Sequence, residues 1–416
     1  LLAQPDVVKA IGKTLRRRAS AVRQGDLSAF IGGVLRDDQA LLNQQRTYFA
    51  NLAQLPLEHF SYAFDRGSLV REGGGYWVVV TLRMQLAGYD DRPVASSDRY
   101  RFEPVGKKAA RFRLASVDDL GWEVQHDVRP QPWDSGPIVV RSGAGVLGIF
   151  DPQSVGQAPS IVSSVEEGIR QVSGSVPYAW SGAVVVYALS TPTFLTSVED
   201  LPGDDPDRLD GVAFPVRARP GGPVASTRFV LHPRMLAQAG PQRDRLVRHE
   251  LTHVAVGGRD DAAPVWLSEG IAEYVSVRPL APQDRLISGA ALEAAREGID
   301  QLPSDDSFNS DSAAANYALA WWACEYLADT AGPASLWALL EAFDRPDVDQ
   351  QQELQFRFGV GTKGLARKTS RLIVATFDPP PPSSSPKPSK TPKPSSSPSS
   401  SPSGSTSPSP SVGQFR

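Results

Sequence analysis

Residues 249–253 read His-Glu-Leu-Thr-His, inside an amphipathic stretch that starts near Pro241 and stops at Gly257-Gly258. On a helix turning about 100° per residue, His249 and His253 lie within about 40° of each other, so both imidazoles can reach one ion. Glu250 stands a fraction of a turn further round, where it can address a water on that ion. Val247, Leu251, Val254 and Ala255 fall nearly opposite the histidines, so the stripe that packs into a core is made by other residues. That leaves the histidines free to act as ligands. With Cys324 as the only cysteine, there is no thiolate cluster and no internal disulfide, and any metal must be held by histidine and carboxylate.

Two histidines supply two ligands, and a catalytic zinc takes three from the protein and keeps one position open. Residues 266–274 read Trp-Leu-Ser-Glu-Gly-Ile-Ala-Glu-Tyr, with Pro264 and Ser268 marking the opening of a second helix. Glu269 and Glu273 lie one turn apart on one face of it. One of these carboxylates can bind the ion while the other orients a ligand. Trp266, Leu267, Ile271 and Val275 give this helix an apolar, partly buried character, which sets it apart from an ordinary solvated helix with paired glutamates.

The elements that must position this chemistry follow from periodicity. Val7, Val8, Ile11, Leu15, Ala19 and Val22 predict a first helix, Gly25-Asp26 a break, a second helical stretch through Phe30 and Leu35, and a third over 38–52. After Pro56 the period becomes two, predicting strands at 59–64, 76–86, 100–102, 111–115 and 122–126. Next come a strand from 138 extended towards 150, a helix at 161–172, and strands at 183–189, 212–217 and 227–231. The helix carrying the histidines follows, and another is predicted over 312–328. His59 and His126, which could suggest an acid/base pair, read as ordinary strand histidines because no partner carboxylate is implied by their spacing.

The chain's 43 Lys+Arg nearly balance its 46 Asp+Glu, for a net charge of −3, which argues against a nucleic-acid groove. No run reaches the roughly 20 apolar residues of a membrane-spanning helix. Residues 379–411 consist of 12 Pro, 15 Ser, 3 Lys, 2 Thr and 1 Gly, a composition with nothing to bury and therefore a disordered, extended tail. The expected organisation is α+β: an α+β domain over 1–132, a second domain over 133–378 with a mixed sheet and a helical half, and the tail over 379–416.

The first 130 residues, with helices first, a Gly-Asp break and aromatic-rich strands after, resemble the NTF2-like cone. The strings HELTH at 249–253 and WLSEGIAEY at 266–274 resemble gluzincin metallopeptidases, the thermolysin-like group, and are most similar to bacterial peptidase-MA-like domains, over roughly residues 135–378. The resemblance implies His249, His253 and Glu269 as ligands of Zn2+, Glu250 as general base, and Glu273 as a carboxylate that hydrogen-bonds a ligating histidine. It implies hydrolysis of a peptide or protein substrate. It also implies an oxyanion donor from the helical half; Tyr317 is the candidate, with Tyr274 and Tyr326 as alternatives. Fifteen residues separate His253 from Glu269, a shorter spacing than in the long-spacing aminopeptidases, which argues against their substrate preference.

The competing expectation is an envelope-associated binding or interaction protein with a structural or vestigial zinc site. Glu250, which a structural site does not require, favours the enzyme. The Pro/Ser tail and a chain that begins at Leu1, leaving room for a leader or anchor, point to an extracytoplasmic or envelope-associated location in a bacterium, with the cytoplasm left open. Substrate identity, endo- or exo-cleavage and oligomeric state are not legible.

Overall fold

Helices α1 (Gln4–Gln24), α2 (Leu27–Ile31) and α3 (Gln39–Leu52) open the chain. In α1, Val7, Ile11, Leu15 and Ala19 recur every fourth position, and all are buried. Asp26 and Asp38 cap the next two helices, accepting hydrogen bonds from Ala29 N (2.8 Å) and Leu41 N (2.9 Å). The second helix stops before its predicted end at Leu35. Gly32-Gly33 close it, and Val34 bridges to Leu114. The computed structural model describes residues 4–106, 111–198, 201, 205–345 and 347–379. The Pro/Ser segment expected to be disordered lies outside the described residues from 380 onward.

Strands β1 (Leu57–Phe64), β2 (Val70–Glu72), β3 (Gly75–Leu86), β4 (Val94–Val105) and β5 (Arg111–Ser116) form an antiparallel sheet in the order β1-β3-β4-β5, with β2 also on β3. Its helix-facing side carries Val78, Val80, Phe102, Phe112 and Leu114, packed against Val7, Ile11 and Leu15. The strand expected at 122–126 does not form. That segment is helix α4 (Leu120–Gln125), because Asp119 caps it by accepting from Trp122 N (3.2 Å) while Glu123 accepts from Asp119 N (2.6 Å). Reciprocal capping here overrides the alternating aromatic pattern. His126 therefore ends a helix, stacked on Trp122, and His59 meets Ser61; the two histidines do not meet each other.

After α5 (Pro132–Ser135), the single strand expected over 138–150 is a hairpin, β6 (Val139–Gly143) and β7 (Val146–Phe150), turned at Gly145 with φ +75°. Helix α6 (Ala158–Ser173), β8 (Val184–Ala188), β9 (Gly211–Arg217) and β10 (Val224–Leu231) complete a second sheet of order β6-β7-β8-β10-β9. The contacts β7·β8 and β8·β10 are parallel, and both outer pairs are antiparallel. β7 and β8 are buried along their whole length, as expected for central strands covered on both faces. One face holds α6 and the helices that follow. The other shares a core with the first sheet, through Leu147, Ile149, Val185 and Tyr187 against Leu52, Phe60, Met84 and Trp133. Asn51 stitches that junction, donating to Trp133 O (2.9 Å) and Gly136 O (2.7 Å) and accepting from Ile138 N (3.0 Å).

The remaining described chain is helical: α7 (Pro233–Leu236), α8 (Pro241–Val256), α9 (Val265–Val277), α10 (Gly289–Glu297), α11 (Ala313–Ala331), α12 (Ala334–Phe343), α13 (Gln350–Phe358) and α14 (Thr362–Phe377). Two glycines set how closely the site helices approach their neighbours. A Cβ at Gly168 of α6 would fall 2.7 Å from Leu251 of α8, and one at Gly270 of α9 would fall 2.5 Å from the Ala320 carbonyl of α11. No helix among the described residues is long and apolar enough to cross a membrane.

Candidate metal centre

Helix α8 buries Val247, Leu251 and Ala255 and turns its other side to a cleft, so the apolar stripe dictates where the histidines point. Gly257, at φ +61°, ends the helix by donating its N–H to the His253 carbonyl. The chain then returns through a short loop into α9, which lays Glu269 across the histidine pair.

The Nε2 atoms of His249 and His253 are 3.3 Å apart, and Glu269 Oε2 lies 3.1 Å from the first and 3.5 Å from the second. One ligand atom from each residue falls within 4.8 Å of the other two. Glu269 Oε2 is fully buried, yet it makes no hydrogen bond despite this proximity. The side-chain atoms of three residues on two helices thus meet at one point of the cleft. The set of two imidazole nitrogens and one carboxylate oxygen could hold a metal ion.

Each histidine is backed by its own carboxylate. His249 Nδ1 lies 3.4 Å from Glu273 Oε1, and Arg245 donates to Glu273 Oε2 through Nη2 (2.5 Å) and Nε (3.1 Å). His253 Nδ1 lies 3.5 Å from Asp260 Oδ2, which also accepts from Ser268 Oγ (2.5 Å). Asp260 was not foreseen. Its signal is the brevity of the loop after Gly257-Gly258, which holds it beside the helix it has just left.

The electrostatics reflect this crowding. Burial disfavours a charged His249, but Glu269 and Glu273 outweigh it and hold the imidazolium up to about 9. His253 is likewise raised against the effect of burial, chiefly by Glu269 and Asp260. Burial opposes the charges of Glu269 and Glu273, yet the facing histidines keep Glu269 well below the usual carboxylate range and help pull Glu273 down to about 2. Glu250 behaves differently. Burial pushes its carboxyl up, only partly offset by His249 and His253. Its Oε2 accepts a hydrogen bond from Ala213 N (2.6 Å) on edge strand β9, which fixes the carboxyl beside the ligand set.

Tyr317 of α11 comes to the site, its ring centroid 6.0 Å from that of His249 and its hydroxyl donating to Asn309 Oδ1 (3.3 Å). Burial, then Glu269, Glu250 and Glu273, raise it well above the usual phenol value. Tyr274 is buried under Arg278 and Tyr326 lies beneath Lys368; neither lines the cleft. The cleft passes the ligand set as two recesses, of about 220 Å³ towards Arg217 and Asp261 and about 1090 Å³ towards Asp305 and Asp311. His249, Glu250 and Tyr317 line both.

Comparison with protein-family models and with curated proteins finds no match.

Proposed function

We propose that the chain is a zinc-dependent peptidase of the gluzincin type, its domains an NTF2-like cone and a thermolysin-like catalytic half. The observation that carries this reading is the convergence of His249, His253 and Glu269 within 4.8 Å, with Glu250 beside the set rather than in it. His249, His253 and Glu269 would hold the ion, which when bound supplies Lewis acidity to a water and to a carbonyl oxygen.

The protein's own groups account for the rest. Glu250 receives a proton, aided by a carboxyl that burial makes more basic, and passes it to the leaving amine. Glu273 and Asp260 hold the two imidazoles in orientation through their Nδ1 atoms. Tyr317 stays protonated at neutral pH and can donate to a developing oxyanion. The substrate class follows from β9. Among the described strands it pairs with β10 on one side only and borders the cleft on the other, so, apart from Ala213 N, which Glu250 already engages, its outward backbone groups can pair with an extended chain.

The test is digestion of a mixed peptide library by the full chain, read by mass spectrometry, with and without a chelator and after zinc is returned. The reading expects cleavage that chelation abolishes and zinc restores. A zinc-loaded chain that cleaves nothing would instead support a binding protein with a vestigial site.

A further inference from the structure

The larger of the two recesses, about 1090 Å³, is walled by carboxylates. Asp205 and Asp210 reach it from the segment before β9, and Asp305, Asp306 and Asp311 from the segment before α11. Its two arginines are already claimed: Arg208 Nη2 lies 2.6 Å from Asp311 Oδ1, and Arg245 Nη2 lies 2.5 Å from Glu273 Oε2. Asp210 is paired from outside the recess by Arg234 Nε, also at 2.6 Å. Among the described residues, Asp305 accepts only from Val265 N (2.9 Å), and Asp306 has neither a hydrogen bond nor an ion pair. Two adjacent carboxylates therefore face this space without a counter-cation.

An acidic wall alone is an ordinary solvated surface. This one continues into the candidate metal centre, since His249, Glu250 and Tyr317 line the same recess. Glu250 is 5% exposed, and its Oε2 is held by Ala213 N. Its Oε1 makes no hydrogen bond among the described residues, which leaves that oxygen for a group entering the cleft. The smaller recess differs in kind: Val212, Pro215 and Val224 line it beside Arg217, and Asp260 there is engaged by Ser268. A metal would offset the charge of Glu269, which lines only the smaller recess, and leave Asp305 and Asp306 unpaired.

We propose that the larger recess selects a lysine or arginine side chain of the peptide, held by Asp305 and Asp306, so that cleavage falls beside basic residues. The inference rests on the peptidase reading and names its substrate class. A long stem ending in a cation suits the place, because the two carboxylates stand on a different segment from the metal ligands, across a roomy polar space. Asp305 and Asp306 are exposed, so their pull on a cation is modest and screened by salt.

The probes are acetylated, amidated alanine pentapeptides with lysine at each position in turn, and norleucine peptides as uncharged counterparts. Unacetylated versions run in parallel, because a free amino terminus is a second source of positive charge. With the zinc-loaded full chain, kcat/KM for the best lysine peptide should exceed that of its norleucine counterpart at least about fivefold at low salt, and by less at high salt. Asp306→Asn should lower this ratio about twofold or more, and the pair Asp305→Asn with Asp306→Asn should bring it near one. Asparagine at 305 keeps an acceptor for Val265 N, so α9 retains its start; should the double variant not fold, Asp306→Asn alone carries the test. Calorimetry with the same peptides separates the two readings: lysine peptides that bind better than norleucine ones yet are not cleaved contradict the peptidase and keep the recess assignment. Three results would overturn the proposal: a wild-type ratio near one, in turnover or, where nothing is cleaved, in binding; a ratio unchanged in the folded variants; or recognition confined to peptides with a free amino terminus.

Discussion

Arg228 and the His249–His253–Glu269 set are both buried polar clusters, and they differ in how completely their atoms are satisfied. Arg228 donates through Nη2 to Asp90 Oδ1 (2.7 Å), through Nη1 to the Tyr187 hydroxyl (2.7 Å), and through Nε to Ser226 Oγ (3.3 Å). Asp90 also accepts from Leu86 N (2.9 Å) and Ser226 Oγ (2.7 Å), and Tyr187 donates to Gln131 (3.0 Å). Every charge there has its partner, and the network ties the first sheet to the second. At the candidate metal centre, by contrast, Glu269 Oε2 has no well-formed hydrogen bond and the histidines face each other. The first cluster satisfies its own charges, whereas the second turns its imidazoles and carboxylate to the cleft.

The largest effect should come from breaking the closed cluster. Asp90→Ala strands the Arg228 guanidinium, which is 2% exposed, and should cost about 3–5 kcal/mol in urea unfolding. A loss below about 1 kcal/mol would mean that closure is not what makes Arg228 structural.

At the open cluster the same kind of change should be read in metal affinity rather than in folding. Glu269→Ala should abolish stoichiometric zinc by elemental analysis. Glu273→Ala and Asp260→Ala should each weaken zinc by about 10 to 100-fold, since each removes a group that orients a ligand. If Glu273→Ala loses zinc outright while Glu269→Ala keeps it, the two roles are exchanged.

The smallest effect belongs to Asp98, half-buried on the concave face. Burial pushes its carboxyl up to about 7, opposed by the hydrogen bond from Arg99 N and reinforced by Glu123, Asp118 and Asp134. A folded-state value raised above that of the unfolded chain means stability that is full below about pH 4 and lost as pH rises through 7. Asp98→Asn should therefore melt above wild type at pH 8, with the gap closing below pH 4. An equal gap at both pH values would remove Asp98 from that account.

Where the sequence was legible, one local rule decided the outcome. Central strands β7 and β8 are continuous apolar runs, and the α8 stripe of Val247, Leu251 and Ala255 forces His249 and His253 to the opposite side. Where it was not, a second rule competed or the partner was distant. Asp119 and Glu123 capped a helix where alternation suggested a strand. Asp260 is recruited by a loop reversal and Ala213 by an edge strand, contacts with no sequence spacing to announce them. Arg18 is hidden differently: three residues after Leu15 and seven after Ile11, it falls on the buried stripe of α1, where Gln45 and Phe30 of the neighbouring helices meet it.

The central claim is that Glu250 acts on a substrate beside a metal it does not hold. Glu250→Gln tests it most directly, because the amide can keep the hydrogen bond from Ala213 N while losing the ability to accept a proton. Zinc content and turnover of a peptide found in the library digest should be measured on the same preparation. The account predicts zinc equal to wild type and turnover lower by about 10² to 10⁴-fold. Near-normal turnover with zinc in place would contradict it.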